Sequence, residues 1–137
     1  MQSAGYPNIL LSPDDETLAH GAASGCATRA LTAKLFPADL AVDPRTAIVL
    51  FFHDHDWEPP ILADALSSPA FYIGAQGSRM ARDARNLELE ALGIDPAALR
   101  RLRGPIGLLH SARDARTLAI SVLAEVLSVA GAPRPEA

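Results

Sequence analysis

Residues 51–79, FFHDHDWEPPILADALSSPAFYIGAQGSR, decide how this chain folds. They begin inside an apolar run, TAIVLFF at 46–52, of the continuous kind expected for a strand buried on both faces of a parallel sheet. The polar segment His53-Asp54-His55-Asp56 follows, then EPPILADALS, whose prolines suit a first helical turn that Asp56 is placed to cap. AFYIG is the next strand, and Gly74-Ala75-Gln76-Gly77-Ser78-Arg79 turns it into another helix. Ligands of open α/β sheets bind outside the carboxyl ends of the strands, so these two turns frame the candidate crevice.

Working outward, NILL at 8–11 reads as a short strand ended by SPDD. The segment AASGCATRALTAKLF carries helical spacing at Ala27, Ala30, Leu31 and Leu35. Downstream of Arg79, a helix over 78–92 is expected to bury Met80, Ala84, Leu87 and Ala91, and LGID closes it with a glycine. A short helix is expected over 96–102. The last helix, over 114–129, is expected to bury Leu118, Ala119, Val122, Leu123 and Val126, with Asp114, Thr117, Ser121, Glu125 and Ser128 on the solvent side. This alternation predicts an α/β domain with a mainly parallel sheet, one domain over 1–137.

With 137 residues, 49% of them hydrophobic and 20% charged, the chain has an ordinary globular composition. Its formal charge of −4 gives no general attraction to nucleic acid or to an anionic membrane, so an anion site has to be local. The single cysteine, Cys26, excludes an internal disulfide and reads as a small buried hydrophobe. No run approaches the roughly 18 apolar residues of a membrane span, and the start MQSAGYPN lacks the pattern of a signal sequence. The expected location is therefore the cytoplasm.

Each of the two turns allows a plain and a functional reading. His53 and His55 lie on one side if strand geometry persists, and two imidazoles there can ligate a metal. A closed zinc site needs four ligands, however, and the other histidines, His20 and His110, complete no convincing set. The alternative is a loop in which Asp54 and Asp56 satisfy amides at the next helix start. In the second turn Gly74 and Gly77 permit close backbone approach, Ser78 caps the helix, and Arg79 adds charge at its positive end, which suits a phosphate. The spacing is neither a P-loop nor a dinucleotide fingerprint, and a merely capped helix explains the same residues. Arg82 and Arg85 extend the basic character, on a helix face whose ordinary setting is solvent.

Taken together, VLFFHDHDWEPPILADALSSPAFYIGAQGSR, LGIDPAALRRLRGPIGL and ARDARTLAISVLAEVL resemble the C-terminal Rossmann-like domain of the XdhC/CoxI family of xanthine dehydrogenase accessory proteins over residues 46–127. The resemblance implies a three-layer Rossmann-like fold. It also implies a role as maturation factor, not catalyst, binding the molybdenum cofactor and handing it to a molybdenum hydroxylase apoenzyme. The positions it carries over as cofactor-binding are His53, Asp54 and His55, then Gly74, Gly77, Ser78 and Arg79, and finally Gly104, Pro105 and Gly107 with Ile106 between them.

The departures shape the rest of the expectation. The family's first strand and its glycine-rich turn have no counterpart here, so the chain is expected to start at the domain's second strand. Ser12, Pro13 and Asp14 stand where the family commonly has Asp-Pro-Arg, which displaces the carboxylate that would hold a ribose and counts against NAD(P). Ser111 replaces a further glycine. Strands NILL and TAIVLFF, deprived of a central neighbour, are expected either to pair directly or to expose edges that recruit a second copy or a separate N-terminal partner. The competing readings are a nicotinamide-dependent oxidoreductase and a degenerate domain that mediates protein contacts alone.

Overall fold

The computed structural model describes residues 1–52, 54–109 and 112–131, and the backbone alone of His55. In chain order the elements are β1 (Ile9–Ser12), α1 (Asp15–Ala23), β2 (Ala27–Ala30), β3 (Ala47–Leu50), α2 (Glu58–Leu66), β4 (Tyr72–Ala75), α3 (Arg79–Ala91), α4 (Pro96–Leu99), β5 (Leu102–Arg103) and α5 (Ala115–Ala130). All pairings are parallel. β1 pairs β2 with Ile9 opposite Ala27, and β3, β4 and β5 form a second sheet with Ala47 opposite Tyr72 and Ile73 opposite Leu102.

The pleat of β4 explains the layers. Side chains alternate across a strand, so Ile73 and Ala75 join Ile48 and Leu50 of β3 against Ile61, Leu62, Ala65 and Leu66 of α2 and Leu89 of α3. Tyr72 lies on the opposite face with Ala47 and Val49, against Val122 and Val126 of α5. The second sheet is thus covered on both sides, and the continuous apolar run of β3 is the consequence. On the other sheet Gly21 lets α1 press onto β1, since a Cβ there would collide with the Leu10 side chain.

Four caps fix where helices begin. Asp14 accepts from the Thr17 amide at 2.8 Å, Ser78 from the Ala81 amide at 3.1 Å, Asp95 from the Ala97 amide at 2.8 Å, and Asp114 from the Thr117 amide at 2.8 Å. α2 has none: its N-cap is Trp57, and Asp56 instead has its amide held by Asp54 at 3.0 Å.

Three expectations need correction. The helix expected around Ala27–Leu35 lies earlier, at Asp15–Ala23, and Ala27–Ala30 is the edge strand β2, whose weakly buried residues carry no clear alternation. α3 is rotated from its expected phase: Met80, Ala84, Leu87 and Ala91 are exposed, and Arg85 and Leu89 are the buried residues. On α5, Ser121 is buried with Val122 and Val126, whereas Ala119 is exposed.

β1 and β3 do not pair with each other. Among the described residues β1 bonds only to β2 and β3 only to β4. A cavity of about 620 Å³, lined along the length of both strands, lies beside them. In the Rossmann strand order 3-2-1-4-5-6, β2 and β1 take the first two places and β3, β4 and β5 the last three. Among the described residues nothing occupies the place between.

Candidate functional site

The β4–α3 turn and the loop after β5 meet over one side chain, Arg85. Gly77 leads into α3 with φ +144°, a region that L side chains rarely adopt, and Ser78 then caps the helix. Arg85 lies seven residues beyond the cap, two helical turns on and hence on the same face. It is 5% exposed. Its Nε donates to Glu58 Oε2 of α2 at 2.7 Å and its Nη2 donates to the Gln76 carbonyl at 3.0 Å. Nη1 is buried and has no hydrogen-bond partner among the described residues.

The glycines of both turns abut this guanidinium. A Cβ on Gly77 would stand 3.3 Å from Nη2, and one on Gly104 would stand 3.2 Å from Nη1. The backbone of each turn therefore lies directly against a cation, beside the positive end of α3. A buried donor without an acceptor costs about 1–3 kcal/mol, more when charged, and an anionic oxygen is the partner that best relieves it. Arg85 is thus no solvated helix residue but the floor shared by the two turns.

The loop over that floor is tied to α5. Gly104 and Pro105 are joined by a cis peptide bond, and Gly107 has φ +104°. The Gly107 amide donates to the Glu125 carboxylate, and the Leu109 amide donates to Ser121 Oγ at 2.8 Å. A Cβ on Gly107 would fall 2.6 Å from Ser121 Oγ. Ser121 and Glu125 face inward because they supply these acceptors, against the expectation that they are solvated. Burial, and next the Glu125 carboxylate, hold the Tyr72 hydroxyl in its protonated form well above the usual phenol range. The Arg103 guanidinium sits 5.7 Å from the centre of the Tyr72 ring. Gly74 serves packing, since a Cβ there would approach Ile106 Cγ2 to 2.7 Å and Tyr72 Cε1 to 2.8 Å.

The structure therefore gathers Gly77, Ser78 and Gly104 around Arg85, with Gly107 pinning the covering loop. Arg79 and Pro105 are exposed at its margin. Asp54 is elsewhere: it lines the 620 Å³ cavity with Ser12, Pro13 and Asp14. His53, His110, Ser111 and the side chain of His55 lie outside the described residues, and with them the expected histidine pair. Among the described residues no group of three or more His, Cys, Asp or Glu side chains is placed to hold a metal ion. A second cavity, of about 390 Å³, is lined by Arg100, Arg101 and Arg103. Arg101 is already committed there to the carbonyls of Leu66, Ser68 and Ala70 at 2.7–3.0 Å.

Fold and site together define a Rossmann-type α/β domain in which two glycine turns, at the carboxyl ends of β4 and β5, pack on a buried arginine. The chain belongs to the XdhC Rossmann domain family, whose sequence model matches residues 1–126. It is 43% identical over 97 residues to the molybdenum cofactor insertion chaperone PaoD of Escherichia coli (strain K12), an alignment that covers 69% of this chain and 30% of that protein. A crystal structure described as a xanthine dehydrogenase from Bacillus halodurans superposes with a TM-score of 0.70 at 20% identity, over 94% of this chain and 37% of that one. The chain thus spans about a third of the length of the relatives it matches. No helix among the described residues is long and apolar enough to cross a membrane.

Proposed function

We propose that this chain binds the molybdenum cofactor and takes part in its insertion into a xanthine dehydrogenase-type molybdenum hydroxylase. Family membership and the likeness to PaoD support the reading from sequence. The observation that carries it from the structure is the unpartnered Nη1 of Arg85 between two glycine turns. A molybdopterin phosphate supplies the missing acceptor, and amides of the first turn of α3 supply further donors. Gly104 lies over Nη1, so phosphate entry shifts the Gly104–Pro105 segment outward. Arg79 then meets the phosphate at the rim, and His53, Asp54 and His55 are the residues assigned to the pterin and metal end. The role is binding and transfer, with no catalytic residue assigned.

The partners follow from that role: the hydroxylase apoenzyme, together with a second copy or a separate N-terminal polypeptide. The exposed Met80 and Leu87, 82% and 67% accessible, favour such contacts. The chain acts as one domain over its full length, in the cytoplasm. The deciding experiment is the cofactor content of protein purified from a molybdenum-replete host. Molybdopterin at near-stoichiometric amounts is expected; nucleotide in its place would favour an oxidoreductase, and neither would favour a domain that makes protein contacts alone.

A further inference from the structure

We infer that the cavity of about 390 Å³ lined by Arg100, Arg101 and Arg103 is a second ligand site, and that it takes a diphosphate group, free or carried by an organic molecule. Ala70 and Phe71 of its wall come just before β4, and Arg100 and Arg101 just before β5. The cavity thus lies towards the amino ends of these strands, away from the two glycine turns at their carboxyl ends. The inference is independent of the cofactor proposal above.

Charge sets the class of ligand. Three arginines share the cavity with Ala70, Phe71 and Ile73, and no carboxylate lines it. Among the described residues Arg100 has no ion pair. Arg101 donates only to neutral carbonyls, those of Leu66, Ser68 and Ala70. Arg103 has Glu125 at 3.9 Å, but that carboxylate already accepts from the Gly107 amide. Like charges gathered in this way repel, and a polyanion between them relieves the repulsion. The chain as a whole, at −4, does not attract anions, so the attraction is local to this cavity.

Two of the three cations are also held in place. Arg101 uses three of its five N–H donors on carbonyls at and beyond the end of α2, at 2.7–3.0 Å. The Arg103 guanidinium is set over the Tyr72 ring, 5.7 Å from its centre. A solvated basic stretch leaves such side chains free, whereas here part of the cost of ordering them is met before a ligand arrives. Size then favours the larger anion. The volume falls within the range of about 300–1,000 Å³ typical of small-molecule sites. A single phosphate fills little of it, while two linked phosphates offer oxygens enough for three guanidinium groups. The half-buried Phe71 gives an attached organic group an apolar wall.

The test titrates the full chain with inorganic pyrophosphate, inorganic phosphate or adenosine diphosphate at about 0.15 M salt and follows the backbone amide resonances. Pyrophosphate should shift the amides of Ala70, Phe71 and residues 100–103, and bind there at least tenfold more tightly than phosphate. Joint replacement Arg100→Ala with Arg103→Ala, which leaves Arg101 on its carbonyls, should weaken that binding at least tenfold. Tighter binding of adenosine diphosphate than of pyrophosphate assigns the site to a carried diphosphate, and equal or weaker binding to a free one. No shift at these residues, equal affinity for phosphate and pyrophosphate, or unchanged affinity in the double variant overturns the inference. Shifts at residues 77–81 report the Arg85 site instead, so either site can fail without the other.

Discussion

Arg85 of α3 and Glu58 of α2, 27 residues apart in sequence, form an ion pair of 2.7 Å in which both side chains are at most 4% exposed. Such a pair ties the helix that opens with the glycine-serine turn to the helix that follows the histidine loop. Removing Glu58 leaves the buried Arg85 guanidinium without its carboxylate, and removing Arg85 takes the guanidinium away from a buried carboxylate. Arg85→Ala and Glu58→Ala should therefore each lower stability by about 3–5 kcal/mol, whereas the joint replacement Glu58→Leu with Arg85→Met should stay within about 1–2 kcal/mol of the parent. Urea denaturation of the three variants checks this, and the double variant provides a folded protein without the guanidinium.

The two glycine turns should respond differently from the exposed arginine. Gly104→Ala sets a methyl group against Nη1 and 3.2 Å from the Ala75 carbonyl oxygen. It should cost about 1–3 kcal/mol of stability as overpacking and weaken phosphate-ligand binding at least tenfold. Arg79→Ala, at the rim, should leave stability unchanged. Its effect on binding should be no more than about 1 kcal/mol and should fade with added salt. Titrations at two ionic strengths separate these outcomes.

Acid should loosen α1 and α5 first. The Thr17 hydroxyl, 2.5 Å from Asp14, and then the Thr17 amide hold the Asp14 carboxyl below its ordinary 3.8. The Thr117 amide and then its hydroxyl do the same for Asp114. Both values are lowered on folding, so the unfolded chain binds protons more readily in this range. The capping contribution is complete above the ordinary carboxyl value and is lost as the pH falls through the lowered one. Helicity followed by circular dichroism should decline below about pH 4. Asp114→Asn, which keeps an acceptor but does not titrate, should flatten the part that belongs to α5.

Fixing the covering loop depends on Gly107. Gly107→Ala places a Cβ 2.6 Å from Ser121 Oγ at φ +104°. It should lower stability by about 1–3 kcal/mol and speed exchange of the Leu109 amide, which Ser121 now holds. Exchange at Ile73 should be unaffected if the strain stays in the loop.

The second sheet was legible because each of its first two strands is a continuous apolar run, and Ser78 announced its helix as a side-chain cap. β2 was not, because an edge strand with Thr28 and Arg29 exposed or half-buried carries neither a clear period of two nor a buried run. The phase of α3 was misread for a different reason. Apolar spacing pointed to Met80 and Leu87, but the inward face is set by Arg85, whose burial depends on a carboxylate supplied from α2. Ser121 and Glu125 were placed outward by the same logic, since the loop amides they accept from lie 12 and 18 residues away. Of the site, the glycines and the cap were visible as local chemistry. The cation they surround is a tertiary fact, hinted at only by its spacing of two helical turns from Ser78.

The most direct test of the central claim is calorimetric titration of the parent chain and of the Glu58→Leu, Arg85→Met double variant with molybdopterin. A hydrogen bond to a charged group is worth about 1.5–3 kcal/mol, so the double variant should bind roughly ten to a hundred times more weakly while unfolding at nearly the parent's urea midpoint. Equal affinities for the two folded proteins would contradict the account and remove Arg85 from the site.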